Sequence, residues 1–455
     1  MVENQTMTKT FSILLALLFF SCKSNTQDLT KEQASQDLAE LKSELEKFHS
    51  GYNRYTSIDS MNLLFDQVEN NLVDMSVVDF YKELALIASK IRCGHTRVSL
   101  PERSRAAFRR TNVFLPFTVS ILDNKLYVRK SLDTSFKPGD EISAINGLGI
   151  PEILKTIFDH HSSDGYITSN KLQLTSYFFH YYFQLYLANG STSYQVTFAS
   201  SNKTVDGKSW SEVEAIQTSS RPGAVMELQH RNNYSYLKIG SFGESSLRSN
   251  GYNYTQFLAK TFKDLKERET KNLILDLRGN GGGKDSFGAL LVSYLVNDDF
   301  GYFEKIEVTD EYSGYGEVVH SENTNLMTSH SGLAVHSSQK DSFRGTLYLL
   351  TDGWTFSTAA DVVSVLDNTN RAYIVGKETG GGRFGNTSGA SKTLTLPNSQ
   401  IRFNIPLWKY TTALRDKVDT GRGVVPNAQI SPSIQELLSG VDVQLNYCID
   451  LIASN

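Results

Sequence analysis

Cysteine is scarce in this 455-residue chain, which has three, at positions 22, 93 and 448. Thiols so far apart in sequence make no disulfide framework. Metal-ligand spacing is missing as well: there is no His-Glu-x-x-His, and His160 and His161, being adjacent, point to different faces of a helix or strand. The sequence therefore signals no metal site and no cofactor. Charge of one sign is lacking too. Lys and Arg number 45 against 49 Asp and Glu, a net charge of −4, which argues against a nucleic-acid binder. The one basic cluster, Arg103, Arg105, Arg109 and Arg110, reads as a solvated face. No internal repeat and no low-complexity tract breaks the chain.

Long apolar runs are limited to one, Phe11 to Phe20, which follows Lys9. It is too short to span a bilayer and suits the core of a signal peptide. The run ends at Ser21-Cys22, which resembles a bacterial lipoprotein cleavage box; ordinary signal cleavage near Ser24 is the alternative. Residues 1–22 are expected to be a targeting segment. The rest would then work in a bacterial cell envelope, periplasm or outer membrane, lipid-anchored through Cys22 or secreted.

What is present is an ordinary globular composition, 40% hydrophobic and 21% charged, at a length that allows about three domains. Residues 28–100 read as helices. Leu38, Leu41, Leu45 and Phe48 recur at helical spacing, as do Met61, Leu64, Phe65, Val68 and Leu72. Ser76 with Asp79 forms a cap before Phe80, Leu84, Ile87 and Ile91. Residues 113–205 change to short β-type runs. Lys137-Pro138-Gly139-Asp140 and Asn146-Gly147 are turn signals, the segment Ile142 to Ile145 between them reads as a strand, and Pro151 opens a helix. Residues 225–435 alternate strands (Leu273–Leu275, Leu347–Leu350, Ala372–Gly376) with helices (Leu290–Val296, about Ser357–Leu366), which implies a parallel α/β core. Residues 436–455 read as a terminal helix.

Two motifs in that core carry chemistry. The first is Asp276-Leu277-Arg278-Gly279-Asn280-Gly281-Gly282-Gly283-Lys284, a glycine loop at the C-terminal end of an apolar strand, where α/β folds place their sites. Its spacing fits neither a P-loop, since Asp285 stands where Ser or Thr is needed, nor a dinucleotide fingerprint, since Lys284 replaces the third glycine. An oxyanion hole remains. The second motif is Thr351 to Asp361, a strand-to-helix link that puts Ser357 at a helix N-terminus, where developing negative charge is stabilised. On its own, Ser357 reads as a plain helix cap.

Together these motifs resemble the C-terminal-processing (tail-specific) serine peptidase family. Asp276 to Gly283 is similar to its Asp-x-Arg-x-Asn-x-Gly-Gly signature, Thr355-Phe356-Ser357 to its nucleophile segment, and Pro138-Gly139-Asp140 through Gly147 to its PDZ signature, all in the family's order. The resemblance covers roughly residues 55–450. It implies an α+β multidomain fold: a helical N-terminal cap, a PDZ-like domain over 113–205, and an αβ-sandwich core of the ClpP/crotonase type over 225–435. It also implies Ser357 as nucleophile, with the backbone N–H of Gly281 or Gly282 and of Thr358 as the oxyanion hole.

The family splits by its general base. The Ser–Lys branch carries a downstream Lys, but Gly380-Gly381-Gly382-Arg383 stands over that segment, and Lys377 reads as solvated. The tricorn-core and interphotoreceptor retinoid-binding branch carries Gly-His-Thr, which Gly94-His95-Thr96 matches, with Cys93 where that branch has Asp. The resemblance therefore makes His95 the base. Its acid partner would lie just before Gly423-Val424-Val425-Pro426-Asn427, giving Asp419, with Asp416 as the fallback. Asp361 reads as a cap for backbone donors. The implied substrates are peptides or unfolded protein tails; residues 113–205 would recruit or gate them and do no chemistry. The rival reading is a binding lipoprotein that keeps the fold without activity. Oligomeric state is not readable.

Overall fold

Leu273, Ile274 and Leu275 form a run with no polar break, and such a strand is stable only where both faces of its sheet are covered. The computed structural model describes residues 28–199, 201–217, 225–309, 316–320 and 325–454, and there that run lies inside the strand Asn272–Asp276. The targeting segment and Cys22 lie outside the described residues.

Asn272–Asp276 sits within a six-stranded sheet, in the order Met226–His230, Ser235–Ile239, Asn272–Asp276, Thr346–Thr351, Ala372–Gly376, Ala428–Gln429. The first pair is antiparallel and every later pair is parallel. Alternation along the strands sends Leu273, Leu275, Leu347 and Leu349 to one core, where helices Tyr254–Glu267, Asp285–Ser293 and Thr358–Asn368 pack. Ile274, Tyr348, Leu350 and Val375 go to the other face, under Cys448 and Ile452 of the terminal helix Val443–Ser454. Both Cys93 and Cys448 are free thiols.

The N-terminal helices Lys31–Phe48, Ile58–Asn71 and Val77–Lys90 do not stand apart. Their apolar stripes share one core with Leu394, Leu396, Ile401, Phe403 and Ile405 of a second sheet. Arg97–Ser99 joins that sheet directly, pairing antiparallel with Arg402–Asn404 of the long strand Arg402–Thr412. The segment just after the helical cap is thereby pinned against the 225–435 half of the molecule. Ser76 caps its helix as expected, accepting from the Asp79 N–H.

Between these parts, residues 114–206 form two small sheets and the helices Ile150–Asp159 and Ser169–Tyr186. The segment Ile142 to Ile145 is not a single strand. Ile142 pairs with Leu126 in one sheet and Ile145 with Val196 in the other, so the chain changes sheets at Ser143.

Candidate active site

The glycine loop and the nucleophile segment leave the C-terminal ends of neighbouring parallel strands, Asn272–Asp276 and Thr346–Thr351. Their backbones are stitched together. Phe356 N–H donates to Asn280 O (3.0 Å), Gly279 N–H to Asp352 Oδ1 (3.0 Å), Thr355 Oγ1 to Leu277 O (3.1 Å) and Thr358 Oγ1 to Gly283 O (3.0 Å). Asp276 and Arg278 brace the loop from behind. Asp276 is buried and accepts from Tyr236 Oη (2.6 Å) and from Arg278, which also pairs with Asp442 at 2.7 Å. Burial raises the Asp276 carboxyl, but Arg278, Lys238 and Tyr236 outweigh it and hold it at about 2.

Ser357 is not an ordinary cap. It stands before the helix Thr358–Asn368 with φ +55° and ψ −133°, and its side chain makes no cap hydrogen bond. A non-glycine residue in that region carries about 1–3 kcal/mol of backbone strain, of the kind that collects where a nucleophile is held out at a strand-to-helix turn. The turn closes because Gly282 (φ +91°) lies against it: a Cβ there would come within 2.7 Å of Ser357 Cβ, 2.8 Å of Phe356 O and 3.0 Å of Thr358 N. Gly381 packs on the other side, with a built Cβ 2.9 Å from Ser357 N.

Of the three oxyanion donors expected from sequence, Gly282 is engaged elsewhere, because its N–H donates to Asn280 Oδ1 (2.9 Å). That leaves the exposed Gly281 and the first N–H of the helix, Thr358.

His95 is half-buried, and its ring stacks on Phe356, the residue before the nucleophile, with centroids 4.6 Å apart and planes at 30°. Gly94 makes this approach possible, since a Cβ there would lie 2.8 Å from the Phe356 ring. The His95 carbonyl is held by Asn404 Nδ2 (3.2 Å). Burial, with a smaller contribution from Arg97, lowers its pKa to about 3, so the imidazole is neutral at pH 7. Among the described residues, no hydrogen bond links Ser357 Oγ to His95, and His95 Nδ1 is enclosed without a partner.

Asp419 is held away from His95. Its carboxylate binds Arg54 (2.9 Å), Tyr55 Oη (3.1 Å) and Gly421 N–H (2.9 Å), an anchor between the helical cap and the 419–421 loop. The fallback, Asp416, is bidentate with Arg383 at 2.9 and 3.0 Å. The carboxylate beside His95 is Asp164, which the sequence did not single out. It is buried, accepts from Gly94 N–H (2.7 Å) and Gly382 N–H (3.4 Å), and offers an oxygen within 4.8 Å of the ligand atoms of His95 and Cys93. Burial lifts its pKa to about 6, against the opposing Gly94 hydrogen bond and Arg54. Asp164 comes from the 113–205 region, which was expected to stay clear of the chemistry, and that region therefore reaches the candidate site. Asp164-Gly165 is a turn signal in the sequence, but nothing there marks the turn as part of a site.

Two other readings change. Lys377 is half-buried rather than solvated, and burial lowers its pKa against the pull of Asp352. Among the described residues, Asp361 accepts from no backbone donor; it is buried and accepts from Asn386 Nδ2 at 3.3 Å.

Among solved structures, the chain is similar to mature CPAF complexed with lactacystin (13% identity, 93% of this chain and 98% of that one, TM-score 0.66). It is also similar to the CPAF S499A mutant (13%, 93% and 96%, TM-score 0.63) and to a candidate peptidase from Parabacteroides merdae (14%, 93% and 97%, TM-score 0.50). At such identities the likeness shows the fold, and no curated protein matches the sequence. The glycine loop, the strained serine and both strands that carry them fall within residues 233–430, which match the model of peptidase family S41, a match that supports a serine-type peptidase.

Proposed function

We propose that the protein is an endopeptidase acting on peptides or unfolded protein tails outside the cytoplasm, with Ser357 as nucleophile and His95 as general base. The observation that carries this reading is the strained, uncapped Ser357 wedged between Gly282 and Gly381, with the His95 ring stacked on the adjoining Phe356.

In the proposed reaction, His95 Nε2 takes the Ser357 proton as Oγ adds to the scissile carbonyl. The N–H groups of Thr358 and Gly281 receive the developing oxyanion, aided by the helix N-terminus. His95 then protonates the leaving amine, and water, activated by the same nitrogen, releases the acyl group. Asp164 takes the role expected of Asp419: its carboxylate lies within 4.8 Å of an imidazole nitrogen, and by accepting from Nδ1–H it would fix the tautomer that leaves Nε2 free to accept. The looseness of the unliganded constellation fits this role, since catalytic hydrogen bonds tighten when substrate binds. Residues 113–205 act as a PDZ-like domain that adds an extended peptide to a sheet edge, and the targeting segment takes the protein to the envelope.

The test is hydrolysis of unstructured peptides by the purified protein beside Ser357→Ala and His95→Ala. Cleavage by the wild type, lost with Ser357→Ala, is expected. Equal cleavage by both proteins would refute the assignment.

A further inference from the structure

Two groups lie beside His95 in addition to the ring it stacks on. One sulfur, one nitrogen and one oxygen, from Cys93, His95 and Asp164, lie within 4.8 Å of one another. They come from segments 70 residues apart, joined by the Gly94–Asp164 hydrogen bond, which is why sequence spacing gave no hint of them. Cys93 and Asp164 are buried, and the thiol donates to Thr387 O at 3.3 Å. Among the described residues, His95 Nδ1 has no hydrogen-bond partner.

A thiolate, an imidazole and a carboxylate form the mixed donor set that zinc prefers; magnesium and calcium take oxygen. Zinc bonds of about 2.0–2.3 Å at tetrahedral angles separate the ligand atoms by about 3.5 Å. The present triangle therefore closes around an ion with movements of about 1 Å, within reach of side-chain torsions.

We propose that Cys93, His95 and Asp164 form a zinc site that switches the peptidase off, an inference that rests on the reading of His95 as the base. Cys93 loses its proton to solvent as the Zn–S bond forms. Asp164 supplies an oxygen and His95 its Nδ1 lone pair, and water completes the fourth position. With Nδ1 bound to metal, the neutral ring keeps its proton on Nε2. That nitrogen can no longer accept the Ser357 proton, and Asp164 is withdrawn from its orienting role. Inhibition follows without any blockage of the substrate cleft.

The test uses the full chain with cobalt(II) as a spectroscopic stand-in for zinc. Wild type is expected to take up one cobalt with a thiolate-to-metal charge-transfer band, bleached by added zinc and absent from Cys93→Ser. In parallel, Ser357 labelling by a fluorophosphonate is measured with and without zinc, each protein against its own metal-free rate. Zinc is expected to suppress wild-type labelling, a chelator to restore it, and Cys93→Ser to need about tenfold more zinc or beyond. No charge-transfer band at cobalt saturation, or equal zinc sensitivity in Cys93→Ser, overturns the proposal. The two readings fail separately: metal-free labelling without the band removes the zinc site alone, and the band without labelling removes the peptidase reading.

Discussion

Gly282→Ala tests the nucleophile turn without touching any group that takes part in the chemistry. Gly282 has φ +91°, and its missing Cβ leaves room for Ser357 Cβ, Phe356 O and Thr358 N, which an added methyl would approach at 2.7, 2.8 and 3.0 Å. The backbone conformation alone disfavours alanine by about 1–3 kcal/mol. The contacts add to this, because two of the three atoms are backbone, and relief requires the loop and the turn to separate by several tenths of an ångström. Displacements approaching about 1 Å at a reacting group can lower rates by about a hundredfold, which sets the upper scale for this change. Gly279→Ala is the control: it shares the strain at φ +77° but meets nothing within 4 Å. Both variants are expected to lose stability in urea unfolding. Gly282→Ala should label with a fluorophosphonate more slowly, by up to about a hundredfold, while Gly279→Ala stays within a few-fold of wild type. Wild-type labelling by Gly282→Ala, or equal losses in both, would refute the steric reading of the turn.

Other outcomes follow from the same geometry. His95→Ala is expected to lower kcat by about a hundredfold or more in a peptide assay, with Lys377→Ala near neutral; the reverse ranking would make Lys377 the base. Asp164→Asn should lower kcat with KM little changed, whereas Asp419→Asn should mainly lower the melting temperature by loosening the Arg54 anchor; a larger kcat loss in Asp419→Asn would restore the acid role to that residue. Asp276 has its carboxyl depressed from 3.8 to about 2, so the folded state takes its proton later than the unfolded chain does. Its contribution, about 2 kcal/mol, is complete above about pH 4 and is lost as pH falls toward 2. Tyr236→Phe removes a 2.6 Å bond to that carboxylate and should move the acid limb of stability upward in pH; an unmoved limb would contradict the assignment.

The core was legible because its signals are local. Leu273–Leu275 and Ala372–Gly376 are apolar runs bounded by turns, and their strand-helix-strand order admits parallel pairing, as observed. The Ser76 cap is a three-residue pattern and formed as read. Readings that depended on distant neighbours fared worse. Ile142 to Ile145 looks like one strand because alternation cannot reveal that Leu126 and Val196 belong to different sheets. Ser357 reads as a cap from its place before a helix, and only the fold supplies the positive φ that turns its side chain away from that use. His95 was singled out through its motif, but a motif does not carry its surroundings. Asp164 reaches it across 70 residues of chain, and Asp419, near in the motif's register, is drawn off by Arg54, a residue of the helical cap with no sequence link to it.

The central claim is that Ser357 is an activated nucleophile. The most direct measurement is the intact mass of the purified, metal-free protein after reaction with diisopropyl fluorophosphate, followed by peptide mapping of the adduct. The account expects one adduct per chain, carried on Ser357, absent from Ser357→Ala and strongly slowed in His95→Ala. An unmodified wild-type protein, or an adduct on another residue that persists in Ser357→Ala, would contradict it and favour a protein that keeps the peptidase fold for binding alone.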